Sequence, residues 1–130
     1  ILGRSNNLPK DIRKTLISAV KKTNKNKKLT INLAINYGSK NEIVDAAKRI
    51  NIKSKKINEE NINQNLYLSL PHPDILVRTG GQKRLSNFML WQLAYTEIFF
   101  LDKLWPEFSK IDLKNIIKEF HKIKRNFGGA

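Results

Sequence analysis

No cysteine occurs among the 130 residues, so neither a disulfide nor a thiolate metal site can hold this chain together. The absence fits a reducing compartment, and the chain is expected to be cytoplasmic. No apolar run approaches the ~20 residues of a membrane span, and the N-terminus has no signal-peptide pattern. A soluble chain is the expectation, with peripheral membrane association left open. Histidine is nearly absent as well. His72 sits between two prolines and His121 lies in the last helical pattern, and neither belongs to a metal-ligand spacing. Acidic residues are scarce, with 11 Asp and Glu against 25 Lys and Arg, for a formal charge of +14. Such a balance points to anionic partners: nucleic acid, an anionic membrane face or a phosphorylated substrate. Lys, Asn and Ile are all used heavily, as AT-rich coding produces, so much of the Lys is expected to be solvated surface. The six Arg are therefore more informative than the nineteen Lys. A basic nucleic-acid-binding domain stays an alternative without a helix-turn-helix, RNP or zinc pattern to support it.

What is present suffices for one modest domain: 40% hydrophobic residues, two Trp and six Phe. The chain opens on Ile1-Leu2-Gly3, which reads like the last residues of a buried strand, and a fragment is expected. After Leu8-Pro9, residues Ile12, Leu16, Ala19 and Val20 share one helical face. Residues 29–36 alternate apolar and polar as a strand does, and Tyr37-Gly38 ends it. Ser39 and Glu42 form a capping-box pattern, predicting a helix from Lys40 with Ile43, Ala46, Ala47 and Ile50 inward. Asn58 is placed to cap a short helix to Leu66. Pro71-His72-Pro73-Asp74 is a rigid turn, and Ile75-Leu76-Val77 suits a strand buried on both faces of a parallel sheet. Ser86 is expected to cap a helix through residues 87–94, residues 97–101 to form another strand, and residues 113–124 the last helix. Helices alternating with strands predict an α/β fold, a mainly parallel sheet with flanking helices, in a single domain.

Chemistry concentrates between Asp74 and Glu97. Arg78 ends a strand, where ligand sites open in α/β sheets. Gly80 and Gly81 are expected to let backbone N–H groups approach an oxyanion. Arg84 and Ser86 follow at the expected helix start, whose dipole favours negative charge. Two guanidinium forks and a hydroxyl within nine residues suit a diphosphate, because Arg binds phosphate oxygens two at a time. The plain alternative pairs Arg78 with Asp74 and leaves Ser86 as a cap alone. Trp91, Tyr95 and Phe99 read as core or interface, and Tyr37 as a packing residue.

Residues Asp74–Gly81, Arg84–Tyr95 and Glu97 closely resemble the signature of the cis-prenyltransferases of the undecaprenyl diphosphate synthase (isoprenyl transferase) type. Asn36-Tyr37-Gly38, Leu104-Trp105-Pro106 with Phe108, and the Phe127-Gly128-Gly129 ending match too. The resemblance covers nearly the whole chain and corresponds to the C-terminal portion of one such domain. It implies a parallel-sheet α/β homodimer that condenses isopentenyl diphosphate onto an allylic diphosphate, for which farnesyl diphosphate is expected, with Mg²⁺ assisting. Positions matching Arg78, Arg84 and Ser86, with the backbone at Leu85, hold the isopentenyl diphosphate headgroup. The position matching Glu97 is a Mg²⁺ ligand, a hard oxygen donor suited to that ion. No catalytic residue is expected within this chain, because the family's allylic-diphosphate motif has no match here. Gln82 stands where Glu is common, and Lys83 where bacterial members often place a metal-bound His. Asn126 stands where the family's Arg-x-Gly reaches across the dimer, with Arg125 just ahead of it. A non-catalytic partner subunit of a heteromeric cis-prenyltransferase is the second reading. Retention of Arg78, Arg84, Ser86 and Glu97 argues against it.

Overall fold

A computed structural model describes residues 1–4, 6, 8–68 and 71–126. They form two compact units, Ile1–Leu70 and Pro71–Ala130, each taken by itself below.

In the first unit, α1 spans Lys10–Thr23, beginning after Pro9 as predicted. Asp11 in its first turn and Lys21 and Lys22 in its last complement the helix dipole. None of its residues is buried, and Ile12, Ile17 and Val20 stay exposed. The strand expected over residues 29–36 contracts to one parallel bridge between Leu2 and Ala34. Leu2 donates to the Leu33 carbonyl at 2.8 Å and accepts from the Ile35 N–H at 2.9 Å. Alternation alone does not make a strand: residues 29–33 find no ladder partner among the described residues, and Leu29 and Ile31 are each 72% exposed. Gly3 makes the approach possible. At φ +106° a Cβ there would lie 2.2 Å from the Ile35 carbonyl oxygen, so only glycine fits.

Helix α2 spans Ser39–Ile52, with Gly38 at its cap position and no side-chain cap, so the expected capping box does not form. Glu42 is instead buried, accepting the Tyr67 N–H at 2.9 Å and the Tyr37 hydroxyl. A side-chain cap holds one local N–H, whereas this carboxylate ties α2 to a segment 25 residues away. Helix α3, Glu59–Asn65, is capped as predicted, Asn58 Oδ1 accepting the Asn61 N–H at 2.8 Å. The two helices pack together, burying Ala46 and Ile50 of α2 and Ile62 of α3.

In the second unit, β1 (Ile75–Arg78) and β2 (Glu97–Phe100) pair in parallel, Ile75 opposite Glu97 and Arg78 opposite Phe100. Both apolar runs are strands, as the sequence predicts. All four residues of β1 are only half-buried, however, because a two-stranded ladder cannot cover both of its faces. Parallel strands need a crossover of a dozen or more residues. Residues 79–96 supply it as a chain of turns, not as the expected helix. Ser86, Asn87 and Met89 take φ of +49°, +62° and +45°, which no right-handed helix accommodates. A 3₁₀ turn over Trp105–Glu107 leads to α4, Lys110–Phe120. This helix starts three residues ahead of the predicted Leu113 because Ser109 and Asp112 cap each other: Asp112 Oδ2 accepts the Ser109 N–H at 2.7 Å and Ser109 Oγ the Asp112 N–H at 3.3 Å. Among the described residues of this unit, Leu93 and Ile116 are the buried apolar ones. Parallel pairing with flanking helices makes the architecture α/β, the class the sequence predicts.

Candidate functional site

The crossover of the second unit begins at the C-terminal end of β1 and brings the predicted phosphate-binding residues together. Arg78 Nη1 donates to Ser86 Oγ at 3.1 Å and to the Arg84 carbonyl oxygen. The left-handed turns at Ser86 and Asn87 fold this segment back on Arg78, so the backbone that departs from a helix also shapes a candidate phosphate cradle. Ser86 is thus a partner of Arg78 and not a helix cap, and no helix dipole acts at this point. Arg84 Nη1 donates to Gln82 Oε1 at 2.7 Å. Leu85 is half-buried behind the turn, and its carbonyl accepts the Phe88 N–H at 3.0 Å.

Neither Arg78 nor Arg84 has a carboxylate partner among the described residues, in contrast to Arg4 with Asp45 and Arg125 with Asp74. Asp74, the alternative partner for Arg78, is held by Arg125 Nη1 at 2.6 Å. Two full positive charges with N–H groups to spare therefore share one exposed turn.

The glycines act differently from expectation. Gly80 and Gly81 do take left-handed φ of +87° and +72°, but their N–H groups are spent. Gly80 donates to the Lys103 carbonyl and Gly81 to the Leu101 carbonyl, each at 2.9 Å. They pin the loop to the segment that follows β2 and leave the side chains of Arg78, Arg84 and Ser86 as the candidate cradle.

Glu97 is not brought to that cradle. Its register partner is Ile75, three steps from Arg78, about 10 Å along a strand rising ~3.3 Å per residue. Side chains alternate along a strand and register partners share a face, so Glu97 and Arg78 also point to opposite faces. No group of three or more His, Cys, Asp or Glu side chains among the described residues is arranged to hold a metal. Glu97 and the cradle of one chain consequently do not fit a shared Mg²⁺.

The remaining candidates are quickly placed. Gln82, Lys83, His72, His121 and Asn126 are exposed, and His121 lies edge-on to Phe120 at 6.0 Å between ring centres. Trp91 and Phe99 are half-buried, while Tyr95 is 52% exposed. Tyr37 packs edge-on to Tyr67 at 6.2 Å and bonds Glu42, as a packing residue does. Phe127, Gly128 and Gly129, which complete the C-terminal match, lie outside the described residues. A second polar cluster, unforeseen in the sequence, lines a cavity of about 680 Å³ in the first unit. There Asp45 accepts from Arg4 Nη2 at 2.8 Å and from the Tyr67 hydroxyl at 2.5 Å, and Arg49 lies over the Tyr67 ring at 5.3 Å.

Comparison with known proteins places this geometry in a group. Residues 1–128 match the profile of the undecaprenyl diphosphate synthase family. The isoprenyl transferase of Fusobacterium nucleatum is 43% identical over 132 residues, covering all of this chain and 57% of that protein. The tritrans,polycis-undecaprenyl-diphosphate synthase (geranylgeranyl-diphosphate specific) of Thermococcus kodakarensis is 45% identical over 136 residues, covering 98% of this chain and 52% of that protein. Among solved structures, a Campylobacter jejuni protein assigned as an undecaprenyl diphosphate synthase superposes with a TM-score of 0.93 at 44% identity, over 98% of this chain and 61% of that one. Lavandulyl diphosphate synthase from Lavandula x intermedia, in complex with dimethylallyl diphosphate, superposes with a TM-score of 0.92 at 34% identity, over 98% of this chain and 58% of that one. The chain thus spans about half the length of the curated relatives it matches.

Proposed function

The chain belongs to the undecaprenyl diphosphate synthase family, and we propose that it supplies the isopentenyl diphosphate site of a cis-prenyl chain-elongating enzyme. The reaction proposed condenses isopentenyl diphosphate with an allylic diphosphate, farnesyl diphosphate being the expected starter, to make a polyprenyl diphosphate of the undecaprenyl type. One observation carries the reading: Arg78 bonds Ser86 Oγ and the Arg84 carbonyl on one turn, and among the described residues neither the Arg78 nor the Arg84 guanidinium has a carboxylate partner. A diphosphate arriving there gains charge-assisted bonds from two forks and loses no existing ion pair. Ser86 Oγ, already accepting from Arg78, keeps its own proton for a phosphate oxygen.

These residues bind and orient; they do not ionise the allylic partner. Mg²⁺ dependence is part of the proposal, with Glu97 as its candidate ligand in this chain. Because no metal-holding group of side chains occurs among the described residues, the other oxygen donors to such an ion are proposed to come from outside them. The family resemblance makes a homodimer the proposed assembly, and the cytoplasm, with or without peripheral membrane association, the proposed location. Among the described residues no helix is long and apolar enough to cross a membrane.

The test uses the full-length protein with Arg78→Ala and Arg84→Ala, measuring binding of radiolabelled isopentenyl diphosphate. Losing one charge-assisted contact of about 1.5–3 kcal/mol predicts affinity weakened by roughly 10- to 150-fold. Unchanged affinity in both folded variants overturns the cradle.

A further inference from the structure

We infer that Arg125 is a positioning residue for Glu97, fixing the start of β2 without itself touching substrate. Its guanidinium joins three segments. Nη1 donates to Asp74 Oδ1 at 2.6 Å, Nη2 donates to the Tyr95 carbonyl at 3.1 Å, and the group lies 5.3 Å above the Phe120 ring of α4. Asp74 immediately precedes β1 and Tyr95 stands two residues before Glu97, so both anchors flank the point where β2 begins. Asp74 closes the circuit, because its carbonyl accepts the Glu97 N–H at 3.0 Å. The side chain of Arg125 is only 19% exposed while that of Asp74 is 67% exposed, so the arginine is the inner, immobilised member of the pair. A planar fork spanning a carboxylate and a carbonyl fixes direction as well as distance, which an ammonium does not. All of these contacts lie at the end of the ladder away from Arg78, Arg84 and Ser86. Removing Arg125 should therefore disturb Glu97 and spare the cradle.

The functional half of this inference rests on the proposed role of Glu97; the structural half does not, and the experiment separates them. In the full-length protein, Arg125→Met, Arg125→Lys and Asp74→Asn are compared for amide hydrogen exchange and for steady-state kinetics. Loss of one local hydrogen bond predicts exchange at the Glu97 amide faster by about fivefold or more in Arg125→Met, with the Leu101 amide at the far end of the ladder unchanged. The turnover number should fall while the KM for isopentenyl diphosphate stays within about twofold, and Arg125→Lys should restore part of the loss. Glu97→Gln should cost less in the Arg125→Met background than alone. Unchanged exchange at Glu97, or equal acceleration along both strands, overturns the positioning role. A raised KM with an intact turnover number overturns it too, by making Arg125 a substrate ligand. If Arg125→Met fails to fold, Arg125→Lys and Asp74→Asn carry the same exchange criterion. If Glu97→Gln alone leaves the kinetics unchanged, the proposed role of Glu97 fails, and exchange still decides Arg125.

Discussion

Arg78 and Glu97 stand at opposite ends and on opposite faces of one two-stranded ladder, three register steps apart. Their substitutions should therefore separate kinetically. Under the proposed function Arg78→Ala removes a ground-state contact to isopentenyl diphosphate and should raise its KM. Glu97→Gln should lower the turnover number and leave that KM within about twofold. Steady-state kinetics of both variants in the full-length protein check this, and a matching rise in KM for Glu97→Gln would contradict the placement.

Gln82 gives a second test. Its amide oxygen holds Arg84 Nη1 at 2.7 Å but leaves the guanidinium charge unmatched. Gln82→Glu keeps the geometry and adds an exposed ion pair of about 0.2–1 kcal/mol that an incoming diphosphate must displace. Isopentenyl diphosphate should bind roughly 1.5- to 5-fold more weakly at low salt, and the difference should shrink as ionic strength rises. Calorimetric titration at two salt concentrations reads it directly.

What could be read from the residues alone was whatever depends on near neighbours. Ile75–Val77 and Glu97–Phe100 are short apolar runs between turn residues, and both are strands. Arg78, Arg84 and Ser86 lie within nine residues, so one turn was bound to bring them close. The misreadings arose where one local pattern admits two conformations. Ser86-Asn87 ahead of an apolar run suits a helix N-cap, yet the same residue types tolerate positive φ, and tertiary context selected the latter. Ser39 and Glu42 have capping-box spacing, but the carboxylate is taken by an N–H 25 residues away. Arg125 and Asp74 are 51 residues apart, and no periodicity announces such a pair. Of the site, the three cradle side chains were legible; the spent glycine N–H groups and the averted Glu97 depend on register, which composition does not encode.

Acid stability should depend on two carboxylates, one in each unit. The hydrogen bond from Arg4, then that from Tyr67, holds Asp45 below its ordinary value. Lys103 first, then Ser109, does the same for Asp112. Groups depressed in the folded state stabilise fully above their unfolded pKa of about 3.9, and that contribution is lost as pH falls through the folded value. Denaturant titrations from pH 6 downward should therefore show stability falling below about pH 4. The fall should be flatter in Asp45→Asn and Asp112→Asn. Tyr67 has the opposite sign. Burial, then its bond to Asp45, raises it, so its contribution is intact below about pH 10 and is lost as pH climbs beyond. Tyr67→Phe should flatten the alkaline arm.

Asn126 tests the C-terminal departure from the family pattern. Arg125 is already committed to Asp74 and the Tyr95 carbonyl, so it cannot stand in for an arginine at the next position. Asn126 is exposed, and a longer cationic side chain there has room. Asn126→Arg should lower the KM for isopentenyl diphosphate several-fold, up to the ~10-fold of a single added charge-assisted bond. No change in KM would show that this position lies outside the substrate's reach.

The 130-residue chain by itself should not transfer prenyl groups. Ionising an allylic diphosphate needs donors or metal around the leaving group, in addition to a site for the second substrate. The described residues provide only the proposed isopentenyl diphosphate cradle, and the proposed metal ligand, Glu97, faces away from it. Leu29 and Ile31, 72% exposed on a segment with strand-like alternation, should also make the isolated chain prone to self-association through unpaired backbone. Incubating the purified chain with farnesyl diphosphate, radiolabelled isopentenyl diphosphate and Mg²⁺ should give no butanol-extractable product above background. Weak isopentenyl diphosphate binding that disappears in Arg78→Ala should remain detectable. Turnover at ordinary enzymatic rates, on the order of 1 s⁻¹ or faster, would show that the chain holds a complete catalytic site after all.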